Sequence, residues 1–177
     1  MARLAVLLVA LALAGCSGAA GSPGASGQSQ VFDAGSRKAA PALRGDLLDG
    51  SAYDAAQHRG EVVVVNFWAS WCAPCRSEAE ELAAVADATR ADRVSFVGVD
   101  VRDERDKAQA FLVAHRQGYP SVFDPAGKVA LGFTDVPPNT TPATLVIDRQ
   151  GRVAAVFRKA LARTELEPVV RRIAAEP

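Results

Sequence analysis

Cysteine is scarce in this chain: the 177 residues hold three, Cys16, Cys72 and Cys75. So few exclude a small scaffold stapled by several disulfides. Histidine is scarcer still, with only His58 and His115. Neither stands at motif spacing to the cysteines, and no second C-x-x-C exists, so the roughly four ligands a zinc site needs are not assembled. An excess of charge is also missing. Twenty basic and 20 acidic residues give a formal net charge of zero, and no basic block argues for a nucleic-acid partner. No internal repeat is visible. The longest apolar run, Leu4 to Ala14, falls short of the about 20 residues that span a bilayer. What remains, 49% hydrophobic and 23% charged residues, is the composition of a folded globular domain.

The apolar run follows a short basic start, Met1-Ala-Arg3, so residues 1–15 read as a secretory signal. It ends in Leu13-Ala14-Gly15-Cys16, which resembles the lipobox of bacterial lipoproteins. That resemblance implies cleavage before Cys16 and a diacylglycerol on its sulfur. The alternative is an ordinary signal peptide with an incidental cysteine. Lipidation would use the odd cysteine and leave Cys72 and Cys75 as a pair. Residues 16–30 are rich in Gly, Ser and Ala and read as a flexible tether, the alternative being a partly ordered N-terminal arm. Residues 31–177 amount to one domain.

The most informative segment runs from Val62 to Glu78. A β-branched run, Val62-Val-Val-Val-Asn-Phe-Trp68, leads into Trp71-Cys72-Ala73-Pro74-Cys75, which opens a helix. Cysteines at this spacing can close a small disulfide ring and reopen it. The helix N-terminus lowers the pKa of the first thiol, because aligned peptide dipoles stabilise a thiolate. Strand, C-x-x-C and helix together read as a thiol–disulfide redox site. Cys72, at the lip, is the expected nucleophile. Cys75, about one turn on and more buried, is expected to resolve the mixed disulfide. Ala73 and Pro74 tune the redox poise and adjoin the substrate. A static disulfide or half a zinc site are the alternatives. Here the chain resembles the thioredoxin superfamily, and within it the extracytoplasmic TlpA/ResA-like thiol–disulfide oxidoreductases.

The periodicity around this segment predicts an α/β fold. Weak strand signals flank Asp49-Gly50 between Ala42 and Tyr53. Glu61–Trp68 reads as a central strand, Ala73–Arg90 as a helix with Pro74 in its first turn, and Val94–Val101 as the next, parallel strand. A second helix is expected over Glu104–Gln117, with Gly118 as its C-cap. A short extended piece at Ser121–Asp124 and one helical turn at Lys128–Phe133 follow. Ala143–Asp148 and Arg152–Phe157 form a hairpin around Asp148-Arg-Gln-Gly151. A last helix spans Thr164–Ala175, where Thr164 and Glu167 suit a capping box. Together these give a thioredoxin-like fold: a mixed central β-sheet flanked by helices, with an N-terminal β-hairpin extension.

The resemblance implies further site residues. Thr141-Pro142 matches the cis-proline loop that faces the dithiol, where backbone groups of Thr141 would meet a substrate strand. Pro137-Pro138 compete for that role. Trp71 holds the motif position before the first cysteine and would shield Cys72 and offer an apolar docking surface, whereas Trp68 reads as core. Cytoplasmic thioredoxins carry a buried Asp where this chain has Asn66, so that proton route is absent. Glu78, three residues after Cys75, matches a glutamate of ResA-like proteins and is a candidate base. The other reading of Glu78 is a solvated acid at a helix start, with Glu80 and Glu81. His58 and His115 read as surface residues.

The implied function is a membrane-tethered thiol–disulfide oxidoreductase on the extracytoplasmic face of a bacterial cell membrane. It would take electrons from a membrane donor of the CcdA/DsbD type and reduce disulfides of exported proteins such as apocytochrome c. It needs no cofactor and no metal. A thiol oxidase or isomerase is the alternative. A peroxidase would require Pro and Thr where Val65 and Ala69 stand, and a copper chaperone would require C-x-x-x-C and a distant histidine. On fold analogy the domain is expected to be monomeric.

Overall fold

The computed structural model describes residues 27–136 and 140–177. The signal segment, Cys16, most of the tether and the Pro137-Pro138 pair lie outside the described residues.

Strand β4 (Val62–Trp68) is the axis of the fold, and all of it is buried. A β-branched run suits this place because it packs well on both faces of a pleated strand. It pairs in parallel with β5 (Val94–Val101), which pairs in parallel with β6 (Ser121–Asp124). On its other side β4 meets β7 (Ala143–Ile147) in antiparallel fashion, and β7 continues as a hairpin into β8 (Val153–Phe157). Strand β1 (Ser29–Val31) closes the sheet against β8, pairing Ser29 with Phe157 and Gln30 with Val156. Ser29 and Gln30 thus belong to the sheet and not to a tether, because the open edge of β8 takes up their backbone. The six-stranded order is β1-β8-β7-β4-β5-β6. A separate hairpin, β2 (Arg44–Asp46) and β3 (Ala52–Asp54), turns at Asp49 and Gly50, where Gly50 takes φ 89°.

Alternation along β4 sends Val62 and Val64 to one face. There they meet Leu82 and Val85 of α1 (Ala73–Thr89) and Leu166, Val170 and Ile173 of α4 (Arg163–Ala174). Val63, Val65 and Phe67 point the other way. They pack with Leu43 and Tyr53 of the hairpin segment and with Phe133, which follows the short α3 (Lys128–Gly132). Trp68 turns toward α2 (Arg105–Ala114) and stacks on Phe111 with centroids 4.5 Å apart. Its indole N–H donates to Ser121 Oγ at 3.2 Å. That contact requires glycine at position 98, since a Cβ there would lie 2.2 Å from Ser121 Oγ and 2.6 Å from Trp68 Nε1.

Two helix ends differ from the sequence expectation. Helix α2 stops at Ala114, and Gly118 does not cap it. Arg116 takes the left-handed conformation instead (φ 50°), with Gln117 N–H bonded to Leu112 O and Arg116 N–H to Val113 O. This is a Schellman closure completed before the glycine is reached. At α4 the capping box does not form. Ala162 is the N-cap, and Glu167 is occupied by Arg163 and Arg171. Glu81 of α1 accepts the free Arg163 N–H at 2.8 Å in its place.

Candidate active site

Cys72 is the N-cap of α1, and Ala73 and Pro74 form its first turn. Proline is tolerated there because that N–H has no intrahelical partner. Cys72 and Cys75 are joined by a disulfide, with Cα atoms 5.3 Å apart. The Cys75 N–H donates to Cys72 Sγ at 3.2 Å, so the helix terminus already points a donor at the first sulfur. That arrangement favours a thiolate on Cys72 once the bond opens. The two sulfurs differ less in exposure than the sequence suggests: Cys72 is 4% exposed and Cys75 1%. The closed ring belongs to one buried cluster with Leu48, Trp68, Ala69, Ala79, Ala108 and Phe111.

Trp71 is 56% exposed, while Trp68 is core. The dithiol loop is held by the segment that follows β5. Trp71 Nε1 donates to Arg102 O at 3.1 Å, and Ser70 donates to Asp103 from both its amide and its hydroxyl. Sequence reading missed Ser70, Arg102 and Asp103, because contacts between two loops leave no periodic signal.

The Thr141-Pro142 bond is cis. Ala143 pairs with Phe67 across β7 and β4, so Pro142 falls level with the end of β4, where the dithiol loop begins. Thr141 is half-buried and Pro142 buried. The structure thus brings Thr141 and Pro142 to the same end of the sheet as Cys72.

Glu78 is not a solvated acid: it is 1% exposed. One oxygen accepts from Asn66 Nδ2 at 2.9 Å and the other from Leu161 N–H at 3.1 Å. Asn66 also donates to Thr144 Oγ1 at 3.2 Å. Burial pushes the Glu78 carboxyl up to about 7, and the two hydrogen bonds only partly offset it. A carboxyl poised near neutrality one turn after Cys75 can take or return a proton. Tyr119 lies in the same field; its hydroxyl is buried without a hydrogen-bond partner among the described residues, and burial and the Glu78 charge raise its pKa.

A second buried acid, Asp100, lies near the end of β5. The sequence did carry a trace of it, one charge inside the apolar run Val94–Val101. His58 bonds Glu61 through Nδ1 at 3.0 Å and stacks on Tyr53, and His115 tilts against Phe111. His58 thus braces Glu61 and Tyr53, and His115 backs Phe111 of the dithiol cluster. Among the described residues, no group of three or more His, Cys, Asp or Glu stands together to hold a metal.

Residues 37–156 match the AhpC/TSA family. The chain belongs to the AhpC/TSA family. Among relatives, it is 38% identical over 121 residues to the thiol:disulfide interchange protein HelX of Rhodobacter capsulatus, covering 66% of this chain and 64% of HelX. It is 34% identical over 119 residues to a DsbE homologue of Paracoccus denitrificans, covering 62% of that protein. The chain therefore spans less than two thirds of the length of these relatives. Among solved structures, a DsbF homologue from Corynebacterium diphtheriae is 36% identical, with a TM-score of 0.78 over 85% of this chain and 96% of that one. A secreted thiol-disulfide isomerase from Corynebacterium glutamicum is 32% identical, with a TM-score of 0.80 over 84% and 93%. These likenesses establish the thioredoxin-like fold of this AhpC/TSA member.

Proposed function

We propose that this protein is a thiol–disulfide oxidoreductase that works through Cys72 and Cys75. The observation that carries the reading is the donor contact from Cys75 N–H to Cys72 Sγ at the α1 terminus, with a buried Glu78 behind it. In the reduced protein, the Cys72 thiolate attacks a substrate disulfide. A new S–S bond joins Cys72 to one substrate sulfur, and the other leaves as thiolate. Cys75 then loses its proton and attacks Cys72, which releases the second substrate thiolate and closes the protein's disulfide. Glu78 is the base for the Cys75 proton. Asn66 and Leu161 orient its carboxyl. Trp71, Thr141 and Pro142, with Ala73 and Pro74, form the surface on which the substrate strand lies.

The preferred direction is reduction of exported proteins, with apocytochrome c as substrate class and a CcdA/DsbD-type membrane protein as electron donor. Attachment through a lipid on Cys16 to the extracytoplasmic face of the cell membrane completes this reading. Its support is the lipobox-like sequence, the ResA-like glutamate at Glu78, and relatives named as thiol:disulfide interchange proteins. Val65 and Ala69, both buried and without a hydroxyl, speak against a peroxidase. A second reading, an oxidase or isomerase, is favoured by the likeness to the secreted isomerase.

The reduction potential of the Cys72–Cys75 couple tests the direction. A value near or below about −250 mV supports the reductase. A value of about −120 to −180 mV supports the oxidase or isomerase and removes the main support for cytochrome maturation.

A further inference from the structure

Asp100 has no role in the chemistry above, yet it is fully buried, and neither carboxyl oxygen has a hydrogen-bond donor among the described residues; the Asp103 carboxyl can bond it only when one of the two acids holds a proton. An ionised carboxylate in that state carries a heavy desolvation cost. In the sheet it lies between Trp68 on β4 and Phe123 on β6. The charged groups that act on it are Asp103, after β5; Asp124, at the end of β6; and Arg105, on α2. Arg105 is the sole cation among them, and it is already engaged. Its guanidinium donates to Leu47 O and Leu48 O and covers the Phe123 ring. Asp124 accepts from Ala130 N–H at 3.0 Å. The surroundings therefore favour a neutral Asp100.

The consequence lies two and three residues further along the chain. Arg102 O holds the Trp71 indole, and the Asp103 carboxylate holds Ser70. Arg102 is exposed and left-handed, with φ 54°. Of the two acids, Asp103 is half-buried and also accepts from Glu104 N–H at 2.8 Å, whereas Asp100 is fully buried. We propose that Asp100 is a positioning residue for the dithiol loop: its neutral carboxyl lets Asp103 grip Ser70, and its ionisation repels Asp103 and loosens that grip. On ionisation the proton leaves for solvent, and two carboxylates face one another at the base of the loop. This rests on the reading of Cys72 and Cys75 as the reactive pair, and it adds a pH-dependent hold on the segment that carries them.

The test is a pH titration of the oxidised protein by NMR, where neither thiol can ionise. The carboxyl carbon of Asp100, the Ser70 amide and the Trp71 indole N–H should move together with one midpoint near the value of about 8 to which burial pushes Asp100. In Asp100→Asn the Ser70 and Trp71 signals should stay at their low-pH positions throughout. If Asp100 titrates while Ser70 stays still, or does not titrate over about pH 6 to 10, the proposal fails. It fails equally if the Ser70 transition survives in Asp100→Asn and disappears in Glu78→Gln. Should the Asn variant not fold, the wild-type titration decides alone. Failure of the oxidoreductase reading looks different: a dithiol inert toward substrate disulfides with the coupled titration intact.

Discussion

Asn66 Nδ2 donates to Glu78 Oε1 at 2.9 Å, and both residues are buried beside the Cys75 helix turn. Asn66 cannot take a proton. Its amide orients the one group there that can. Replacing Glu78 with Gln keeps the shape and removes the titration. The rate of thiol–disulfide exchange at about neutral pH should fall about 100-fold or more, the usual range for loss of a general base. The pH–rate profile should also lose its inflection near about 7. A Glu78→Gln protein with an unaltered profile would show that another group takes the Cys75 proton.

The same burial sets an unusual dependence of stability on pH. Glu78 rises from 4.5 to about 7 in the fold, and Asp100 from 3.8 to about 8, both mainly through desolvation. The folded state thus binds these protons more tightly than the unfolded chain. Their contribution is complete below the unfolded values and is lost as pH climbs through the folded ones. For Glu78 the loss is roughly 3 kcal/mol at most. The melting temperature of the oxidised protein should fall between about pH 5 and about pH 8, and Glu78→Gln should flatten part of that slope. A Tm that rises over this interval would contradict the assignment.

Gly98→Ala should be among the costly small substitutions. Its Cβ would meet Ser121 Oγ and Trp68 Nε1, which are bonded to each other behind the dithiol. Overpacking of this kind costs about 1–3 kcal/mol. A urea melt measures it, and an unchanged midpoint would mean that β5 and β6 shift apart freely.

Arg37 anchors the segment after β1 to the end of α4. Its guanidinium is 3% exposed and bonds Asp148 at 3.2 Å and Glu176 at 2.8 Å through Nη2. Burial alone would raise the Asp148 carboxyl, but hydrogen bonds from Arg152 and Arg37 outweigh it and hold it below its ordinary value. Arg37→Ala should cost about 3 kcal/mol, because it strands part of a buried charge. Chemical denaturation at neutral pH checks this. The loss should shrink as pH falls below the ordinary carboxylate range, where Asp148 is protonated in the unfolded chain.

Most of the fold was legible in the sequence because its elements are strongly periodic. The run Val62–Trp68, the strand Val94–Val101 and the hairpin around Gly151 stand where the pattern puts them. The helix ends were not legible. Arg116 closes α2 in a conformation usually given to glycine, and Glu81 caps α4 from another helix. The two cysteines and the cis Thr141-Pro142 bond lie in a recognisable local motif. Burial of Glu78 is a tertiary fact, settled by Leu161 and Asn66, which are 83 and 12 residues away. Ser70, Asp103 and Asp100 escaped for the same reason: their meaning comes from packing between β5, α2 and the dithiol loop.

The most direct measurement is a trap for the mixed disulfide. Reduced Cys75→Ser and reduced Cys72→Ser proteins are mixed with a disulfide-linked peptide, and adducts are read by intact mass. Exchange through Cys72 predicts a stable peptide adduct on Cys75→Ser, mapped to Cys72, and little or none on Cys72→Ser. An adduct that forms only on Cys75, or none on either variant, contradicts it.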